Sequence, residues 1–438
     1  MPLKAGYAAV NLEPPLGGSM PGYFTDRKAT GFLDPIQAKC IVIADSAAPG
    51  DAVAIVALDL VAIGRDECER IRKAVAAGGK IRPERVWIHA THTHTGPMVP
   101  RFYTTDVGAL FPGFYPGIVD ADFLNRLVER TAKCIAEAAA NATTTSLNIG
   151  QAAISGAAMY RRSKLQDGTV LTNAPRKDSR VVGPAGEVDP AVTVLSMPEA
   201  KASLVIYGIH PDIIGGTLYS ADYPATVADE FRKGSGQNVV FLNAACGNIN
   251  HVDRSRDDQA KGIEESRRMG RVIATGALEA LGKAETAEGL PVKLAARDVP
   301  SRLRIVPEAD VHEAYRLEKE EPKKARAFNS LFAPAAIVLG RTKDREHLAK
   351  IMALRLGPVG LVGMPGEIFV ELAREVQHDA PLEIVRTIGL SNGGMGYIPT
   401  SEAFTQGGYE TGYRSARYRP ETGHAWARAG VELLRGLV

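Results

Sequence analysis

Short apolar runs alternate with longer amphipathic stretches along most of the chain. Runs of six to nine residues rich in Val, Ile and Leu predict buried strands at residues 40–45, 52–60, 86–91, 192–197, 203–210, 239–245 and 357–364. Apolar positions spaced three or four residues apart predict helices at residues 65–77, 122–140, 223–232, 257–281 and 366–376. This alternation favours an α/β or α+β fold with a mixed-sheet core and surrounding helices.

The chain shows no internal repeat and no low-complexity tract. The most polar stretch, residues 308–327, is rich in Glu, Lys and Arg and predicts an exposed helix. We therefore expect residues 1–438 to form a single domain.

Several of the predicted strands run into a polar side chain at their carboxyl end. Parallel strands in α/β folds bring such side chains to one edge of the sheet, where ligands bind. The side chains in question are Asp59, His92, His210, Asn243 and Glu367. The pattern predicts one crevice lined by strand ends.

The segment WIHATHTHTGP, residues 87–97, holds three of the nine histidines. His92 and His94 stand two residues apart, so an extended backbone would send both side chains to the same side. His89 has the opposite parity and is expected to face away. An HxH pair at a strand end favours metal binding or catalysis over a structural role.

A catalytic zinc site usually takes three protein ligands and keeps one position open. Besides the HxH pair, His210 lies at the end of an apolar strand stopped by Pro211. Glu367 follows Pro365 and Gly366, and the predicted helix start at that point favours an ionised carboxylate. Taken singly, an isolated histidine is more often structural, and a glutamate at a helix start more often caps the helix.

Composition narrows the classes of partner. The 52 Lys and Arg against 50 Asp and Glu give a net charge of +2, which argues against nucleic acid or another polyanion. The four cysteines lack CxxC spacing and are expected to be buried thiols in a reducing compartment. With no signal-peptide pattern and no apolar run of the length that spans a bilayer, we expect a cytoplasmic protein without a membrane partner.

Several segments of the sequence, taken in chain order, resemble the catalytic domain of the neutral ceramidase family, and the chain is similar to the short bacterial members of that family. The resemblance covers nearly the whole chain. THTHTGP and the late GYIPT with GGYE are its most specific motifs, and it also includes AGYAAVNLEPPLGG, GFLDPIQAK, VALDLVAI, YRRS, GIHP, SADYP, AACGNIN and GMPGEIF.

The resemblance implies a zinc-dependent amide hydrolase. It implies that His92, His210, Glu367 and Tyr397 hold the zinc. Further residues would act on the substrate: His94 and Arg162 would contact the substrate or the oxyanion, and Tyr409 would polarise the carbonyl. The HxH spacing by itself makes His94 a possible metal ligand instead. Of the adjacent Arg161 and Arg162, one is expected to be an ordinary surface charge.

The chain departs from the family at two places. Ceramidases carry a Gly-Asp-x-Ser segment whose serine lies at the metal, whereas residues 247–250 here are Gly-Asn-Ile-Asn. The chain also ends about thirty residues after GGYE, without the family's further C-terminal β-rich domain. We therefore expect a small, water-soluble substrate instead of ceramide.

Without the serine, the simplest expected chemistry is attack by a metal-activated water on a carbonyl. Candidates for proton transfer are His94, Asp212 and Asp222, although both aspartates could equally cap a helix or turn or orient a histidine. Asn248 and Asn250 are candidates for binding the substrate, or belong to an ordinary surface loop.

Three alternatives stay open: an esterase or lactonase, a metal-dependent lyase or isomerase, and a non-catalytic metal-binding homologue. Homo-oligomerisation and the native metal also stay open. The aromatic and glycine-rich residues 101–117 are expected to form a lid or a wall of the pocket, or else an ordinary surface loop.

Overall fold

A computed structural model describes residues 3–23, 25–46, 48–99, 117–287, 291–325, 332–342 and 345–438. Mixed sheets flanked by helices confirm the predicted α/β class. The helices of these residues are Arg65–Ala77, Ala121–Ala140, Tyr223–Ser235, Gly262–Gly282, Glu308–Glu320, Pro322–Ala325, Ala333–Arg341, Val370–Asp379, Ser401–Gln406 and Thr422–Arg435, with 3-10 turns at Pro49–Asp51, Pro83–Arg85 and Tyr409–Thr411.

Three larger sheets form the centre of the fold. The first has the strand order Val86–Ala90, Val53–Leu58, Gln37–Asp45, Leu3–Asn11, Thr143–Thr145. The second has the order Asn238–Asn243, Ala202–Tyr207, Ala191–Met197, Asn148–Ala153, Glu285–Thr286. The third has the order Val292–Arg302, Glu346–Leu356, Val359–Gly363, Ile384–Ile388.

Each sheet contains one parallel pair of strands at its edge, and its other pairs are antiparallel. The parallel pairs are Val53–Leu58 with Val86–Ala90, Ala202–Tyr207 with Asn238–Asn243, and Val359–Gly363 with Ile384–Ile388. One apolar cluster contains buried residues from all three sheets, among them Ile55, Leu204 and Leu361. The sheets therefore share a core, and their parallel strands deliver their carboxyl ends to one region.

His89 joins the three sheets where these strand ends meet. Its Nδ1 lies 2.9 Å from the carbonyl oxygen of Gly389, and its Nε2 accepts the backbone N–H of Asn243 at 3.0 Å. The side chain is fully buried. Both of its ring nitrogens are used in these bonds, so the side chain cross-links the fold.

Small sheets complete the region around the strand ends. Met159–Tyr160 pairs with Ile249–Asn250, and Arg162–Leu165 lies between Val170–Thr172 and Val181–Pro184. Glu367–Ile368 pairs in parallel with Tyr397–Ile398. Two further two-stranded sheets join Ser19–Met20 to Arg27–Lys28 and Gly31–Phe32 to Leu218–Tyr219.

The predicted helix bounds are right within a few residues except at two starts. The helix predicted from residue 257 begins at Gly262, because residues 253–258 form a turn held by Asp253 and Asp258. The helix predicted from residue 366 begins at Val370, because residues 367–368 form a strand. The predicted exposed helix is confirmed at Glu308–Glu320, and residues 326–327 of that prediction lie outside the described residues.

All four cysteines are buried free thiols, as expected. Within the described ranges, no helix has the length and apolar character needed to cross a membrane.

Candidate active site

Three histidine side chains converge where the strand ends meet. The Nε2 atoms of His92 and His210 are 3.0 Å apart, and the Nε2 atom of His94 lies 3.4 Å from that of His92. All three side chains are buried. Among the residues that the structure describes, this is the one group of three or more His, Cys, Asp or Glu with metal-binding spacing, and its ligand atoms lie within 4.8 Å of one another.

In two of these rings, the hydrogen-bond partner of Nδ1 fixes the tautomer. His92 Nδ1 lies 2.5 Å from the carbonyl oxygen of Val61, and His210 Nδ1 lies 3.0 Å from that of Cys246. A carbonyl only accepts, so each Nδ1 must carry the proton, and the Nε2 of each ring faces inward as a lone pair unless it binds a proton or a metal ion. Two lone pairs 3.0 Å apart cannot hydrogen-bond to each other, and a cation between them would resolve the conflict.

Two side-chain oxygen atoms lie beside the same three histidines. Glu367 Oε2 lies 3.3 Å from His92 Nε2 and 3.4 Å from His210 Nε2, and this buried oxygen has no hydrogen-bond partner among the described residues. The hydroxyl of Tyr397 lies 3.3 Å from His210 Nε2. Zinc–nitrogen bonds of 2.0–2.1 Å place neighbouring ligands of a tetrahedral ion about 3.3–3.4 Å apart, so the observed spacings fit such an ion.

Burial keeps the imidazoles in the form that binds metals. It lowers the pKa of His210 to about 3, with Arg161 and His92 adding to the effect. Burial also holds the pKa of His94 well below its usual range, again with a contribution from His92. Both rings are therefore neutral at neutral pH, and their lone pairs are available.

The sequence-based reason for an ionised Glu367 is wrong. Glu367 lies in a short strand, its N–H donates to the carbonyl of Gly396 at 2.9 Å, and the next helix begins only at Val370. Burial raises the pKa of this carboxyl, whereas contact with His92 and His210 lowers it when an imidazole is protonated. A positive charge at this position, either a proton on an imidazole or a bound cation, would keep the carboxylate ionised in place of a helix terminus.

The reason given for the convergence of His92 and His94 is also wrong. The strand ends at Ala90, and His92 has φ +77°, so the segment is not extended there. The backbone N–H of His92 donates to Leu60 and that of His94 to Pro211, which hold the turned segment. A non-glycine residue in this region of φ is uncommon and often marks a functional site.

Gly22 and Tyr23 enclose His94 from outside. A Cβ on Gly22 would lie 2.7 Å from the His94 ring, so only glycine fits. The Tyr23 ring stands edge-on to His94 at 5.5 Å between centroids. Sequence reasoning did not single out either residue.

Arg161 and Tyr409 flank Tyr397. The Arg161 guanidinium lies 5.3 Å from the centre of the Tyr397 ring, and the Tyr409 ring is 5.7 Å away from it in a T-shaped contact. Arg162, the arginine to which the resemblance pointed, instead contacts the ring of Phe369 and the carbonyl of Gly407. Both arginines are buried, so the expectation of a surface charge is wrong for this pair.

The two candidate aspartates have different surroundings. Asp212 Oδ1 lies 3.5 Å from His251 Nδ1 without forming a hydrogen bond. Asp222 is fully engaged, since it accepts from the backbone N–H groups of residues 213, 214 and 223 and from the Ser266 hydroxyl. Asp222 therefore caps the helix Tyr223–Ser235, which is the alternative that the sequence left open.

Asn248 and Asn250 both hold neighbouring chain segments. Asn248 accepts the N–H of Val370 at 3.0 Å and donates to Glu371 at 2.7 Å. Asn250 accepts the N–H of Val252 and donates to Asn173. Most of residues 101–117, the expected pocket wall, lies outside the described residues, which include only Gly117.

No protein-family model and no curated protein matches the sequence. Solved structures do. The neutral ceramidase of Pseudomonas aeruginosa superimposes with a TM-score of 0.77 over 100% of this chain and 74% of that one, at 19% identity. The chain has the neutral ceramidase fold. A second solved structure, a ceramidase complexed with C2, gives a TM-score of 0.77 and 19% identity over 100% of this chain and 75% of that chain.

Within this neutral ceramidase fold, the four residues that the resemblance named as metal ligands lie together. The fold also brings in residues that sequence reasoning missed or set aside: Arg161, His251 and Glu410. Glu410 stood in the GGYE motif, but nothing in a sequence distinguishes a buried glutamate from a solvated one.

Proposed function

We propose that this chain is a zinc-dependent hydrolase of amide bonds in small molecules, and that residues 1–438 act as one catalytic unit. The observation that carries the proposal is that acceptor atoms of His92, His210 and Glu367 face one another, an arrangement that a cation between them would stabilise. The likeness to neutral ceramidases supports an amide as the bond. Burial of His92 and His210 to 2% and 1% exposure favours a slim reacting group.

His92, His210, Glu367 and Tyr397 would hold the ion. A bound zinc would act as a Lewis acid and bring the pKa of a water to about 7. In the overall reaction the water oxygen bonds to the carbonyl carbon, the C–N bond breaks, and the leaving nitrogen takes up a proton.

The remaining roles follow from position. His94 directs its Nε2 toward the same point and would contact the substrate carbonyl. Arg161 and Tyr409 would stabilise the negative charge that develops on that oxygen. Asp212, beside His251, would take part in proton transfer, because Asp222 is occupied as a helix cap.

We also propose that the protein works in a reducing, cytoplasmic compartment, because its four cysteines are buried thiols. Zinc as the native ion and an amide over an ester or lactone are parts of the same proposal.

The test combines elemental analysis of the purified protein with a chelator-sensitive screen. The panel contains N-acyl amino acids, N-acyl amino sugars, cyclic amides and lactones, run in ¹⁸O water. We expect about one zinc per chain and ¹⁸O in a new carboxylate. Protein free of metal after growth in zinc-supplemented medium, or turnover that a chelator leaves unchanged, would rule the proposal out.

A further inference from the structure

Glu410 is a buried carboxylate shared by two buried arginines. Its Oε1 accepts from Arg161 Nε at 2.8 Å, and its Oε2 accepts from Arg162 at 3.1 Å and from the Thr172 hydroxyl at 2.5 Å. Glu410 and Arg162 are 0% exposed and Arg161 is 5% exposed. One side chain therefore fixes two consecutive guanidinium groups.

This cluster touches the proposed metal centre through Arg161. Its guanidinium lies over the Tyr397 ring and also donates to the carbonyl of Gly247 at 2.6 Å. Glu410 follows Tyr409, whose ring packs against Tyr397. The carboxylate thus sits behind both groups proposed to face the substrate oxygen.

The charges in the cluster do not cancel. Two guanidinium groups and one carboxylate leave one positive charge in excess within the cluster, and in the described part of the chain neither arginine forms an ion pair with another carboxylate, since Asp212 acts on Arg161 from beyond ion-pair distance. Burying an unpaired charge is costly, so a purely structural cluster would be expected to balance it. An excess positive charge beside the reacting centre instead suits an oxygen that becomes negative during the reaction.

We propose that Glu410 is a positioning residue for the reaction: it holds Arg161 so that the uncompensated positive charge faces the substrate oxygen. The proposal rests on the proposed function. It assigns Glu410 no contact with substrate or metal.

The informative variant is Glu410→Gln. The amide keeps the shape but has one acceptor oxygen, and its NH₂ group would face the second guanidinium. Glu410→Asp keeps the charge with a shorter reach. Asp189→Asn is the matched control, because Asp189 pairs with the buried Arg386 at 2.9 Å and neither contacts a proposed site residue.

The variants are loaded with zinc and assayed on p-nitroacetanilide below their melting temperatures. Losing one oxyanion-stabilising donor typically lowers kcat by about 100-fold or more, and we expect such a loss in Glu410→Gln, with KM within about threefold and unchanged zinc content. Glu410→Asp should recover part of the rate. Asp189→Asn should lose stability but keep its kcat. A kcat within about twofold of wild type in Glu410→Gln would overturn the positioning role.

A second measurement separates this inference from the proposed function. In protein labelled with ¹⁵N-arginine, hydrogen exchange at the Arg161 Nε–H reports how firmly the carboxylate holds it, with Arg161→Lys used for assignment. We expect exchange at least about tenfold faster in Glu410→Gln than in wild type and no change in Asp189→Asn. Unchanged exchange overturns the positioning role, while a wild type that turns over no amide overturns only the proposed function.

Discussion

One buried histidine at the sheet junction and the buried histidine cluster beside it differ in how their ring nitrogens are satisfied. At the sheet junction, His89 has a partner on both nitrogens, Gly389 on one and Asn243 on the other. In the neighbouring cluster, His92 and His210 have carbonyl partners on Nδ1 only, and their Nε2 atoms face one another.

Burial and residue type do not separate these groups, because His89 is at least as buried as His92. The difference lies in the balance of donors and acceptors. A neutral imidazole needs one of each, and His89 has both, so it acts as a cross-link. The cluster has an excess of lone pairs, which a cation would satisfy, so it can hold a ligand.

The largest effect is expected when a histidine of the cluster is replaced. We expect His210→Ala to abolish hydrolysis and lower zinc affinity more than about 100-fold, because even residues that only orient a metal ligand cost 10–100-fold. Zinc content after dialysis against a competing chelator measures the change. His89→Gln is the control and should keep its zinc. Stoichiometric zinc in His210→Ala would contradict the assignment of this ligand.

The next largest effect is expected on the unfolding free energy when His89 at the sheet junction is replaced. His89→Leu leaves the Asn243 N–H buried without its partner and leaves the Gly389 carbonyl with the Ser391 hydroxyl at 3.3 Å, which should cost about 1–3 kcal/mol of unfolding free energy. His94→Leu is the matched variant, because His94 Nδ1 has no partner in the described part of the chain. In chelator, we expect His94→Leu to change the unfolding free energy by less than about 1 kcal/mol. Equal losses in denaturant titrations would remove the distinction.

The sequence predicted the features that depend on local patterning. Hydrophobic periodicity predicted the helix Arg65–Ala77 at its observed bounds and strands that the structure has at Val86–Ala90, Ala202–Tyr207 and Asn238–Asn243. The resemblance gathered His92, His210, Glu367 and Tyr397 from distant parts of the chain. Periodicity alone had no means of bringing position 397 to position 210.

Features that depend on tertiary contacts were mispredicted. The positive φ of His92 results from backbone bonds to residue 60, and Glu367 lies in a strand because residue 397 pairs with it. For Arg161 and Arg162, alternation predicts opposite directions but not which one faces the metal centre. These outcomes depend on long-range neighbours that no local window contains.

The smallest expected effect is on the pH dependence of the unfolding free energy, which tests whether His89 differs from the cluster. Burial lowers the pKa of His89 to about 3, opposed by its bond to Gly389. The unfolded value is about 6.5, so the unfolded chain binds the proton first; the stabilisation is complete above pH 6.5 and declines as the pH falls toward 3. One such group should lower the unfolding free energy by about 1 kcal/mol between pH 7 and 5.5.

The depressed pKa values of His94 and His210 act in the same direction in metal-free protein, so the informative quantity is the difference between wild type and His89→Gln in chelator. Denaturant titrations at pH 7 and 5.5 should show the smaller loss in His89→Gln. If both proteins lose the same stability, His89 is not the neutral, fully bonded imidazole that sets the junction apart from the cluster.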